Sequence, residues 1–106
     1  MNLQELQLRA FEIRKRYSEL EVKKYGRVWT AEEMMLGFLG DVGDLSKLVL
    51  AKEGVRAIED VDEKLAHELA DCLWCIFVLA EKYHVSLAES FLKTMDELEK
   101  RISQDK

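Results

Sequence analysis

Two segments combine an apolar character with carboxylates. Residues 37–50 read GFLGDVGDLSKLVL and carry Asp41 and Asp44, and residues 67–80 read HELADCLWCIFVLA and carry Glu68 and Asp71. On an α-helix, residues three apart lie about 60° apart around the axis and one turn along it. Read as helices, the segments each present a pair of acids on one side. Their surroundings are apolar: Asp71 is the only formally charged residue between Leu69 and Ala80, and Asp41 and Asp44 sit among Leu39, Val42, Leu45 and Leu48. A helix that is apolar nearly all round is predicted to be buried. An ionised carboxylate there is costly unless it is compensated. Lys47 and Lys64 stand at helical spacing beside the pairs, but two lysines against four acids leave an excess of negative charge. A divalent cation is the simplest remaining counter-charge. Oxygen-only ligands suit a hard ion, magnesium first and manganese second, and magnesium usually keeps water or phosphate oxygens in its shell. Such an acidic cup suits a phosphorylated substrate. For any one of these acids taken alone, a solvated helix edge is the competing reading.

The elements that must hold these acids follow from periodicity and capping. The chain has no proline and only five glycines in 106 residues, which favours an all-helical fold. A first helix is predicted over about 2–25, with Leu6, Ala10, Ile13, Tyr17 and Leu20 as its apolar stripe. Arg14, Lys15, Arg16 and Glu19 are expected on its solvated face. Thr30 and Glu33 form a capping-box pair, and Trp29 and Met34 have the spacing of a hydrophobic staple. They open a second helix that runs to about Glu53, with Gly54 as its stop. Asp60 with Glu63 predicts a capping box for a third helix ending near Tyr83. Ser86 with Glu89 predicts another for a fourth helix ending near Ser103. The closing QDK is expected to fray. Short connections predict antiparallel neighbours in a four-helix bundle-type protomer made of a single domain, residues 1–106. The third helix is apolar on more faces than its neighbours in a small bundle would cover, so a homodimer or a dimer of dimers is expected.

Composition narrows the classes of function. A net charge of −5 argues against a nonspecific nucleic-acid or membrane-surface binder. No apolar run approaches the roughly 20 residues that span a bilayer. The first residues, MNLQELQLRAFEIRKRY, are too charged for a signal peptide, so a cytoplasmic location is expected. Cys72 and Cys75 form a C-x-x-C inside a helical run without the further ligands that zinc requires, and core packing is the expectation.

The two acidic motifs resemble those of a known family. All-α nucleotide pyrophosphohydrolases of the MazG-like kind carry E-E-x-x-E on one helix and E-x-x-D on the next. Here GDVGD (40–44) lines up with the first motif, and ELAD (68–71) matches the second letter for letter. The contexts WTAEE, DVGDL and HELADCLW are similar too, and the resemblance spans about residues 25–95. It implies a magnesium-dependent attack of water on the α-phosphorus of a nucleoside triphosphate, giving the monophosphate and pyrophosphate. It implies Asp41, Asp44, Glu68 and Asp71 as metal ligands and catalytic groups, Lys64 at a phosphate-binding position, and Lys93 as the best match to a basic residue of the fourth helix. It also implies a homo-oligomer. With Lys47 and Trp29, these lysines are the candidate substrate-binding residues. The sequence departs from the pattern by shortening two glutamates to aspartates and by placing Gly40 where the family has its first glutamate.

Other readings compete. The same bundle can be a regulatory module that binds a metal or nucleotide without efficient turnover, or a phosphoribosyl-ATP pyrophosphatase-like hydrolase. EKYH (81–84) supplies only one of the two E-x-x-H motifs of a di-iron bundle. His67 is adjacent to Glu68 and so falls on another helix face, as a bystander. Trp29, Phe38 and Trp74 can stack on a base, although core packing is the commoner use of aromatic residues at helical spacing.

Overall fold

The computed structural model describes residues 1–104; Asp105 and Lys106, the end of the QDK tail, lie outside the described residues. Among the described residues there are four helices and no strand: α1 (Leu3–Tyr25), α2 (Ala31–Lys52), α3 (Val61–Lys82) and α4 (Leu87–Gln104). None is long and apolar enough to cross a membrane.

Local chemistry explains most boundaries. Asn2 caps α1 by accepting the Glu5 N–H at 2.8 Å, and Gly26 ends it at φ 73°. The capping box of α2 forms as expected, with Glu33 N–H donating to Thr30 Oγ1 at 3.2 Å and Thr30 N–H to Glu33 Oε1 at 3.1 Å. Helix α2 stops where Gly54 takes φ 82° and the N–H groups of Gly54 and Val55 return to Ala51 and Leu50. The same paired bonds close α3, with His84 at φ 58° in the left-handed position and Val85 N–H returning to Ala80. This is the use the chain makes of His84, while Glu81 accepts from Gln7. At Ser86 only half of the expected box forms, with Glu89 N–H reaching Ser86 Oγ at 3.4 Å.

The Asp60 cap does not form. Asp60 adopts φ 53° and ψ 41°, and its side chain makes no capping bond. A capping side chain needs an extended backbone to reach back to the N2 or N3 amide; the left-handed turn aims this one elsewhere.

Arg27 braces the α2 cap through two bonds to Glu33, at 2.6 and 2.9 Å. Arg27, followed by the Thr30 amide, holds the Glu33 carboxyl down at about 2, from an ordinary 4.5. The capping bond therefore contributes fully above pH 4.5 and is lost as pH falls through about 2. An acid titration followed by side-chain NMR should place Glu33 near that lower value. Arg27→Ala should return it toward 4.5, and a Glu33 unmoved by that change would refute the bracing.

Helices α2 and α3 make the most extensive contact and run antiparallel: Lys52 pairs with Asp62, Asp41 meets Cys75, and Met35 shares a cavity with Tyr83. Helix α1 packs on α3, and the core is Ala10, Phe77 and Val78, flanked by Leu3, Phe11, Met34, Trp74 and Leu87. Trp74 donates its indole N–H to the Ala10 carbonyl at 3.0 Å. Buried Gln7 ties the α3–α4 corner to α1 by donating to Glu81 and Val85 and accepting from the Leu87 amide.

Two expectations about burial are corrected. The buried face of α1 is Gln7, Ala10 and Arg14, whereas Leu6, Tyr17 and Leu20 are exposed. Arg14 leaves the solvated face because Glu21 neutralises it through two bonds of 2.6 and 2.9 Å. Helix α2 is not buried in a single chain: only Leu48 is buried, and Leu36 is 67% exposed. On α4 no described residue is buried, and this helix makes its main contact with α1. The radius of gyration, 17.0 Å, exceeds the roughly 13 Å of a compact domain of this length. Both cysteines are buried and free, as their apolar context predicts.

Candidate metal centre

The antiparallel pairing of α2 and α3 brings Asp41, Asp44 and Glu68 together. One carboxylate oxygen from each lies within 4.8 Å of the others. Glu68 Oε1 is buried and has no hydrogen-bond partner. Burial, followed by the charges of Asp41, Asp71 and Asp44, raises the Glu68 pKa. An orphaned acceptor held among like charges is electrostatically incomplete, and three carboxylates are the donor set a hard divalent ion takes. The residues fit such an ion.

Asp71 turns toward a different partner. It lies near enough to act on Glu68 electrostatically, but its Oδ2 sits 3.2 Å from His67 Nε2. His67 stands one turn before Asp71 and lines a cavity that Glu68 also lines. The i, i+4 spacing carried that signal, whereas the comparison with adjacent Glu68 did not. A second missed residue is Cys75, whose thiol donates to Asp41 Oδ2 at 3.8 Å. Burial, then the charge of Asp41, pushes this thiol up to about 11, so it stays protonated and able to donate.

The cavity beside the carboxylates has a volume of about 560 Å³, and Asp44, Glu68, Lys47, Lys64 and His67 all line it. Each helix contributes an acid and a lysine to it, and neither lysine is ion-paired among the described residues. Trp29 lies in a separate cavity with Asp41. Lys93 sits on α4 and is not gathered with the others in the single chain.

The all-helical fold thus sets an acidic cluster across two antiparallel helices beside a cavity lined by Lys47 and Lys64. The model of the MazG nucleotide pyrophosphohydrolase domain matches residues 50–104, slightly more than half of the chain, and the chain belongs to that family. The match contains Glu68 and Asp71; the geometry of the helix pair gathers Asp41 and Asp44 with Glu68 and leaves Asp71 beside His67. No curated protein and no solved structure matches the chain.

Proposed function

We propose that the chain is a magnesium-dependent nucleoside triphosphate pyrophosphohydrolase that releases the monophosphate and pyrophosphate. The observation that carries this reading is the buried, unpartnered oxygen of Glu68, in a carboxylate gathered with Asp41 and Asp44 beside Lys47 and Lys64. Asp41, Asp44 and Glu68 would hold the ion, magnesium or manganese, and Asp71 completes the acidic set. When bound, the ion neutralises phosphate charge and makes bound water more acidic. Lys47 and Lys64 donate to phosphate oxygens, and His67 lies beside the Asp71 carboxylate and lines the same cavity. No nucleophilic side chain is needed, and the nearest thiol, Cys75, is held protonated.

The test is incubation with a panel of nucleoside triphosphates and magnesium in ¹⁸O-labelled water. Label in the monophosphate, with pyrophosphate as co-product, is the expected outcome. Label in orthophosphate would assign attack at the γ-phosphorus and refute the reading.

We also propose that the protein is a homodimer through α2 and α3. Met35, Leu39, Val42 and Val49 on α2 are exposed at the same spacings as Leu69, Leu73, Ile76 and Tyr83 on α3. Monomers seldom leave apolar faces of that extent open, and the elongated protomer leaves room for a second copy. A second copy is also a route by which Lys93 can reach a cup. Sedimentation should give the mass of two chains, and Leu39→Asp or Leu73→Asp should halve it. A well-folded wild-type monomer at micromolar concentration would count against this.

A further inference from the structure

One carboxylate of the acidic cluster takes a hydrogen bond from the opposite helix. Glu68, Cys72 and Cys75 stand at i, i+4 and i+7 on α3, so they form one stripe along it. That stripe meets α2 at both ends, Glu68 in the cluster with Asp41 and Asp44, and Cys75 on Asp41. Its two ends are about 10 Å apart along the helix axis. Asp41 lies between them. Its Oδ2 accepts from the Cys75 thiol at 3.8 Å, and the same side chain joins Glu68 and Asp44. We propose that Cys75 is a positioning residue for the metal centre: its thiol holds Asp41 against α3, in the orientation that lets it share a divalent ion with Asp44 and Glu68. This rests on the metal-binding part of the reading above and not on the hydrolytic step.

The carboxylates do not hold themselves in place. Asp41, Asp44 and Glu68 carry like charges, and Glu68 Oε1 is buried with no hydrogen-bond partner. An aspartate free to rotate would swing away from its two neighbours. A donor on the α3 side opposes that swing, and the thiol supplies it. A carboxylate has about four acceptor positions, so one bond to sulfur leaves Asp41 able to take an ion. The donor is itself fixed. Cys75 is 6% exposed, so packing sets where its sulfur lies before any ion arrives. Groups placed one bond behind a metal ligand orient it and tune its strength as a donor. Cys72 is buried to the same degree, at 7% exposed, yet among the described residues only Cys75 gives its thiol to a carboxylate. The two cysteines of the C-x-x-C therefore have different tasks, Cys72 in packing and Cys75 in holding a ligand.

The test measures manganese affinity by calorimetry on the full chain. Cys75→Ala should weaken binding by roughly 10–100-fold. Cys75→Val, which fills the site without a donor, should do the same. Cys75→Ser keeps a hydroxyl donor and should recover most of the loss, while Cys72→Ala should bind as the wild type does. Infrared spectra give a second readout. The S–H stretch that disappears in Cys75→Ala should move to higher frequency when magnesium is added to the wild type, because an ion on Asp41 draws charge from the acceptor. Wild-type affinity in the alanine and valine variants overturns the positioning role and spares the metal centre. Equal losses in the valine and serine variants overturn it by making the sulfur a packing group. An S–H band unmoved by a saturating ion overturns it by uncoupling the thiol from the ligand. Failure of the wild type to bind either ion sinks the metal centre along with it.

Discussion

Glu68→Gln is expected to lower affinity for magnesium or manganese by more than the roughly 10–100-fold typical of changes outside the ligand shell, and to reduce hydrolysis at least as far. The same variant should melt higher than the wild type in the presence of chelator at neutral pH. The reason is the environment of the carboxylate. Burial, then Asp41, Asp71 and Asp44, raises its pKa above the ordinary 4.5. Between 4.5 and the raised value the folded chain holds more protons at this position than the unfolded chain does. The contribution of Glu68 to stability is therefore fully present below pH 4.5 and is lost as pH rises through the folded pKa. Glutamine removes that loss. Excess manganese should reverse the order of melting, because an ion that binds only the native wild type stabilises it. Calorimetric titration and thermal melts with and without metal check both parts. Equal metal affinity in the two proteins would move the site elsewhere. A variant that melts lower in chelator would show that the Glu68 charge is compensated by the chain itself.

The acidic cluster was legible in the sequence because it follows from two short-range facts. Helical spacing pairs Asp41 with Asp44 on one helix, and the antiparallel turn to α3 sets Glu68 opposite them. The capping boxes were legible only where the backbone entered its helix extended, as at Thr30; the left-handed Asp60 has the same letters and no cap. Burial on α1 was not legible, because the apolar stripe and the packed face differ. Leu6 and Tyr17 look like core but stay exposed, whereas Arg14 is buried once Glu21, seven residues away, neutralises it. The pair lies two turns apart on one helix face, farther than the i, i+3 and i, i+4 pairs by which charged neighbours are usually read. The thiol of Cys75 on Asp41 joins two helices and has no local signature either. The unburied state of α2 and α4 has a different origin. Apolarity in the sequence does not say which partner covers a helix, and the proposed dimer would supply the cover that the single chain lacks.

Gly40→Glu is expected to raise turnover while leaving divalent-ion affinity nearly unchanged. The family resemblance places a glutamate here, one residue before the first acid of the cluster. Successive helical residues point about 100° apart, so the added carboxylate stands beside the cup formed by Asp41, Asp44 and Glu68. From there it can orient a lysine, Asp71 or the attacking water. The site has room, since a Cβ on Gly40 meets nothing within 4 Å. Replacing glycine in a helix contributes up to about 1 kcal/mol of propensity. Against that, the new charge stands four residues before Asp44, a like-charge pair worth roughly 0.2–0.5 kcal/mol. Stability should therefore change little, and a large drop in melting temperature would indicate a clash the geometry does not show. Gly43→Ala is the control. Gly43 is equally open, and its substitution should add about 1 kcal/mol of stability with no change in rate, which separates helix propensity from chemistry. A folded Gly40→Glu protein slower than a brisk wild type would remove position 40 from the catalytic argument. Absence of ion binding in both forms would reduce the cluster to a structural feature of the helix pair.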